Sequence, residues 1–136
     1  MRCLHATILA RNIDNSSLAG NSTSATITNT KSVGSSWVNF GTHTITKTGL
    51  YHIKLYVSGG SAGTTEMRSN AKISVGGSSI LEIGAWSISN YAGNNFAESG
   101  ESDIFWLNKD DVITLSARNN NWTGNTYASA TIHQIY

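Results

Sequence analysis

Apolar and polar residues alternate along most of this chain with a period of two. Residues 50–58 are the clearest case. Tyr51, Ile53, Leu55 and Val57 fall on one side, and His52, Lys54, Tyr56 and Ser58 on the other. That period belongs to a strand with one face against a core. The same pattern predicts strands over residues 3–10, 25–30, 37–40, 42–46, 67–75, 80–88, 104–107, 112–117 and 128–136. Turns fall at Lys47-Thr48-Gly49, Gly76-Gly77 and Asn108-Lys109-Asp110-Asp111, where Gly, Asn and Asp tolerate tight reversals. Residues 12–21, 59–63, 90–100 and 119–125 read as polar loops. Nothing has the period of a long amphipathic helix. About eight to ten short antiparallel strands at such spacing predict an all-β sandwich or jelly roll.

Composition narrows the class. The 136 residues suit one domain over residues 1–136, with no linker and no internal repeat. Only 12% are charged, about half of the roughly 25% usual in soluble domains. Ser, Thr, Asn and Gly supply the polarity instead, as in extracellular, virion or β-rich proteins. A net charge of +1 leaves no electrostatic footprint for nucleic acid or an anionic membrane. No run approaches the roughly 20 apolar residues of a membrane span, so no membrane insertion is expected. The N-terminus lacks a signal-peptide pattern. The sole cysteine, Cys3, cannot form an internal disulfide and reads as a small hydrophobe on the first strand. Packing or oligomerisation must hold the fold.

Little points to catalysis. His5, His43, His52 and His133 all fall within predicted strands, and none has metal-ligand spacing. No nucleophile elbow, phosphate loop or Cys-Xaa-Xaa-Cys pair is present. The carboxylates, Asp14, Glu66, Glu82, Glu98, Glu101, Asp103, Asp110 and Asp111, read as solvated charges. Asp110 and Asp111 crowd hard oxygen ligands suited to calcium, but a turn role accounts for them more simply. The expectation is a non-enzyme with no cofactor and no metal.

Binding chemistry is better represented. Trp86, Tyr91, Phe96 and Trp122 lie in or beside loops rich in Asn, Ser and Gly. Aromatic faces stack on sugar rings while amides hydrogen-bond the hydroxyls. Asn94, Asn95, Asn119, Asn120, Asn121 and Asn125 supply amides, and Arg118 supplies a planar fork. The expected ligand-binding set is Trp122, Asn121, Asn120, Asn119, Arg118, Trp86, Tyr91 and Asn94, with the loop over residues 119–125 at its centre. Trp86 reads more readily as a core filler, and Arg118 equally as a solvated surface group. Trp37 and Trp106 are assigned to the core or a subunit interface.

Two segments resemble a known family. Thr48-Gly49-Leu50-Tyr51-His52-Ile53 is similar to the Gly-Xaa-Tyr-hydrophobic third strand of the tumour-necrosis-factor-like and complement globular-head jelly rolls. Leu107-Asn108-Lys109-Asp110-Asp111-Val112-Ile113-Thr114-Leu115 is similar to their Leu-Xaa-Lys-Gly-Asp-Xaa-Val-Xaa-Leu hairpin, with Asp110 where the family has Gly. Residues 86–96 do not match the animal members, and the composition is closer to bacterial and bacteriophage versions of the fold. The resemblance implies a homotrimer with one sheet of each protomer packed around a three-fold axis. It places Tyr56, His52, Ile135 and Tyr136 at that interface, and brings His5, His52 and His133 near one another. It further implies a non-enzymatic recognition head at the cell exterior or on a virion surface. Its expected partner is cell-surface carbohydrate, as in a phage host-adhesion domain or a bacterial lectin. A trimerisation or assembly domain and a protein-binding, cytokine-like head are the alternatives.

Overall fold

A computed structural model describes residues 23–62, 66–88 and 94–136. The strand expected over residues 3–10, with Cys3 and His5, lies outside the described residues, as does Tyr91. Eight strands follow in order: β1 (Ser24–Val33), β2 (Val38–Thr44), β3 (Gly49–Ala62), β4 (Glu66–Val75), β5 (Ser78–Ile88), β6 (Asn94–Leu107), β7 (Val112–Asn119) and β8 (Gly124–Gln134). They form two four-stranded sheets, ordered β1-β8-β3-β6 and β2-β7-β4-β5, and every pairing is antiparallel. Successive strands pass repeatedly from one sheet to the other, giving a jelly-roll sandwich.

The alternation places the core. Ile53, Leu55 and Val57 of β3 face Ile73 of β4 and Ile113 and Leu115 of β7, all essentially sealed from solvent. Each such side chain contributes roughly 1.5–3 kcal/mol by leaving water. Tyr51 is buried with them, and its phenol reaches the edge of the sandwich to donate to the Lys47 carbonyl at 2.6 Å.

Several strands differ from the sequence expectation. The strands expected over residues 37–40 and 42–46 merge into one, β2, which runs from Val38 to Thr44 and shifts register at a bulge between Asn39 and Gly41. Gly41 is required there, since a Cβ would stand 2.5 Å from Ile27 Cγ2. Residues 94–100, expected as loop, continue β6 in register with β3 as far as Asn94 opposite Ala62. The polar side chains conceal this because β6 is an edge strand. The expected loop over residues 119–125 shrinks to four residues, with Asn119 ending β7 and Gly124 opening β8.

The 108–111 turn takes the expected form. Asp110 adopts φ 72°, the one positive φ at a non-glycine residue among those described. Asp111 Oδ2 accepts the Asn108 amide at 2.8 Å, and the Asp110 amide donates to the Ile45 carbonyl at 2.8 Å. Asp tolerates this conformation because its short side chain bonds locally.

Candidate functional site

Asn119 and Trp122, expected as ligand contacts, are parts of the packing. Asn119 is fully buried. Its Oδ1 accepts from Ser69 Oγ and Thr126 Oγ1, both at 2.9 Å, and its Nδ2 donates to the carbonyls of Val33 at 3.1 Å and Gly124 at 3.4 Å. Two acceptor sites and two donors complete the capacity of an amide, so nothing remains for a ligand. Ser69 belongs to one sheet and Thr126 to the other, so this amide ties the sheets together. Trp122 is only 7% exposed. A Cβ on Gly59 would stand 2.9 Å from its Cζ2, and one on Gly124 would run into its ring. The two glycines make the slot that holds the indole. Asn120 and Asn121 are exposed, but the Asn120 amide donates to the Arg68 carbonyl at 3.0 Å and Asn121 Nδ2 to the Glu66 carbonyl at 3.1 Å. They fasten the short connection onto the start of β4. Asn94 is placed by its backbone on β6.

Two outward sheet faces remain. On β1-β8-β3-β6, His133 of β8, His52 of β3 and Ile104 of β6 stand in one cross-strand row. Leu50 and Trp106 form the next row, and the Ile135 amide donates to the Leu50 carbonyl at 2.8 Å. Ile104 is 37% exposed and Trp106 54%. Tyr136, beyond β8, is also exposed. Further along the face, the Tyr56 ring lies over Gly100, and its phenol donates to Glu98 Oε2 at 2.6 Å. Strand β1 adds Ser24, Thr26, Thr28 and Thr30, short side chains that keep the face low.

The structure thus brings the expected interface residues His52, Tyr56 and Ile135 to one region, with Tyr136 at its margin. Sequence reasoning missed Ile104 and Tyr127 there, and left Trp106 between the core and a subunit interface. The signal was available for Trp106, which is one residue out of phase with the half-buried Phe105 and the buried Leu107 that flank it.

The face of β2-β7-β4-β5 is different in kind. Arg118 of β7, Asn70 of β4 and Gly84 of β5 form one row, and Arg68 and Trp86 the adjacent one. Trp86 is 61% exposed, which corrects its reading as a core filler. Arg68 lies over its ring at 5.4 Å and pairs with Glu66 at 2.7 Å. Trp37 carries two cations, Lys72 Nζ at 4.4 Å and Arg118 Cζ at 4.5 Å from its ring centre. Of the expected ligand set, Arg118 and Trp86 share this face. Trp37, Lys72, Arg68 and Asn70 join them only because three strands of the sheet lie side by side. Among the described residues no group of His, Cys, Asp or Glu is placed to hold a metal ion.

No family model matches the chain, and no curated protein matches it. Solved structures do. The globular domain of a zebrafish complement 1qA protein superposes with a TM-score of 0.53 at 11% identity, over 83% of this chain and 97% of that one. A structure of infectious bursal disease virus, Gx strain, gives 0.52 at 9% identity, over 85% of this chain and 33% of the viral one. Eiger TNF from S. frugiperda gives 0.47 at 13% identity, over 71% of this chain and 66% of that one. The fold is therefore the jelly roll shared with that complement globular domain.

Proposed function

We propose that this chain is the recognition head of a homotrimer that binds cell-surface carbohydrate, without enzymatic activity, as a phage host-adhesion domain does. One observation carries the reading: the β1-β8-β3-β6 face leaves Ile104, Trp106, Tyr127 and Tyr136 exposed in the isolated chain. Large apolar groups gathered on one face mark an interaction surface, and a rotationally symmetric assembly covers such a face with copies of itself. The fold shared with the complement globular domain supports a recognition role. Residues 1–136 act as one domain on this reading, at the cell exterior or on a virion.

Three heads joined at that face turn weak single-site binding into avidity. Sedimentation equilibrium tests the assembly, and a glycan array on the purified head tests the ligand. A trimer that binds glycans is the expected result. A trimer silent on the array would instead indicate an assembly domain or a protein-binding head, and a monomer at micromolar concentration would remove the basis of the proposal.

A further inference from the structure

The face of β2-β7-β4-β5 carries Lys72, Arg68 and Arg118, and of these only Arg68 is paired with a carboxylate. Lys72 and Arg118 both rest on the Trp37 ring, which holds the two cations within about 9 Å of each other. Among the described residues the one ion pair is Arg68 with Glu66. Glu82 stands directly across from Lys72 in the ladder, the usual position of an ion-pair partner. Lys72 Nζ lies over the indole, and no Lys72–Glu82 bridge forms. Two like charges this close repel, and a bound anion offsets that repulsion.

The floor between the aromatic rings is also incomplete. Asn70 Oδ1 and Arg118 Nε are buried, and neither has a hydrogen-bond partner among the described residues. They sit on directly opposed residues of β4 and β7. Buried polar groups are ordinarily paired, so such exceptions call for a cause. Gly84 continues the row, and a Cβ there would stand 3.0 Å from Asn70 Nδ2. The glycine keeps the floor low and lets Asn70 lean across it. From Arg118 to Gly84 the row crosses two inter-strand steps, about 10 Å, a length that suits a disaccharide. Trp86, largely exposed, stands at the far side of this floor.

We propose that this face binds a carboxylated saccharide, with Lys72 and Arg118 holding the carboxylate beside Trp37 and the Trp86 ring stacking on the adjoining sugar. The inference rests on the reading of the chain as a carbohydrate-recognition head and names the class of carbohydrate. An ammonium and a guanidinium on one carboxylate make charge-assisted hydrogen bonds, the strong kind. An indole face suits the apolar side of a pyranose. A polyphosphate strand fits poorly, because tracking one needs a longer line of cations than a chain of net charge +1 offers.

The test uses a glucuronate-terminated disaccharide and the same disaccharide with its carboxyl group reduced to the alcohol. Binding to the intact head is read by calorimetry and by NMR shift mapping. The acidic probe is expected to bind at least about tenfold more tightly than the reduced one. Lys72→Gln and Arg118→Gln should each erase most of that difference, and Trp86→Ala should weaken both probes. Glu82→Gln, which removes a repelling carboxylate from the same face, should tighten the acidic probe. Melting curves on each variant separate lost binding from lost folding, and Trp86→Ala alters a side chain that bears little packing. Equal affinity for the two probes would overturn the acidic assignment. Tight acidic binding untouched by all of the cation and Trp86 substitutions would overturn the face. If neither probe binds but other glycans on the array do, this inference fails alone; if no glycan binds a well-folded head, the carbohydrate reading fails with it.

Discussion

Tyr56 and Tyr127 meet edge to face on the outer surface of β3 and β8, ring centres 5.9 Å apart and planes at 63°. Their phenols are pushed in opposite directions. The hydrogen bond to Glu98 raises that of Tyr56, because ionisation would lose the bond and set two negative charges side by side. Hydrogen bonds from Thr28 and Ser129 lower that of Tyr127. Ultraviolet titration should therefore show Tyr127 ionising before Tyr56, assigned with Tyr56→Phe and Tyr127→Phe. The linkage signs differ accordingly. The Tyr56 contribution to stability is complete below the ordinary phenol range, near 10, and is lost as pH rises through its raised value. The Tyr127 contribution is present above that range and is lost as pH falls through its lowered value. The reverse order of ionisation would contradict the Glu98 bond.

Asn119→Ala should be among the most destabilising polar substitutions. It strands two buried hydroxyls and two carbonyls at the seam between the sheets. Lost and unsatisfied bonds of this kind cost about 3 kcal/mol in total. Urea unfolding measures it, and a cost near zero would mean that water fills the seam without penalty.

Trp122→Ala should lower stability by about 3–5 kcal/mol, the usual range for a buried large aromatic. Its buried position over Gly59 and Gly124 implies that any loss of ligand binding tracks the loss of fold. Normal stability combined with lost binding would show that the indole contacts a ligand after all.

Asp110→Gly should raise stability slightly, by about 0.5 kcal/mol. Glycine relieves the left-handed conformation at φ 72° but gives the unfolded chain more freedom. Asp110→Val should lower it by about 1–2 kcal/mol, since a β-branched residue fits that region poorly. Thermal melting of the pair checks both signs.

Trp106→Glu should leave the protomer folded and disrupt its proposed self-association. The side chain is more than half exposed, so the isolated protomer loses little packing. Within a covered face an unpaired carboxylate is strongly unfavourable. Sedimentation should show monomers with an unchanged melting temperature for the separated chain. A variant that stays trimeric would move the interface elsewhere.

The alternation over residues 50–58, the glycine turn at 76–77 and the Asn108–Asp111 turn were enough to give the fold class, because period and turn chemistry are local properties. The extension of β6 to Asn94 was hidden, since an edge strand needs no apolar residues to pair. The roles of the tryptophans and asparagines could not be read locally either. Trp122 looked exposed in a polar loop, yet Gly59 from a distant strand supplies its slot. Asn119 looked available, yet Ser69 and Thr126 reach it from both sheets. Conversely, Trp37, Lys72 and Arg118 are scattered along the chain and meet only when β7 and β4 lie side by side behind the entry to β2. The sequence by itself determined which residues face in and which face out where the alternation is unbroken, as over residues 50–58. Only the tertiary structure decided which outward residues become neighbours, because that depends on register between strands far apart in the chain.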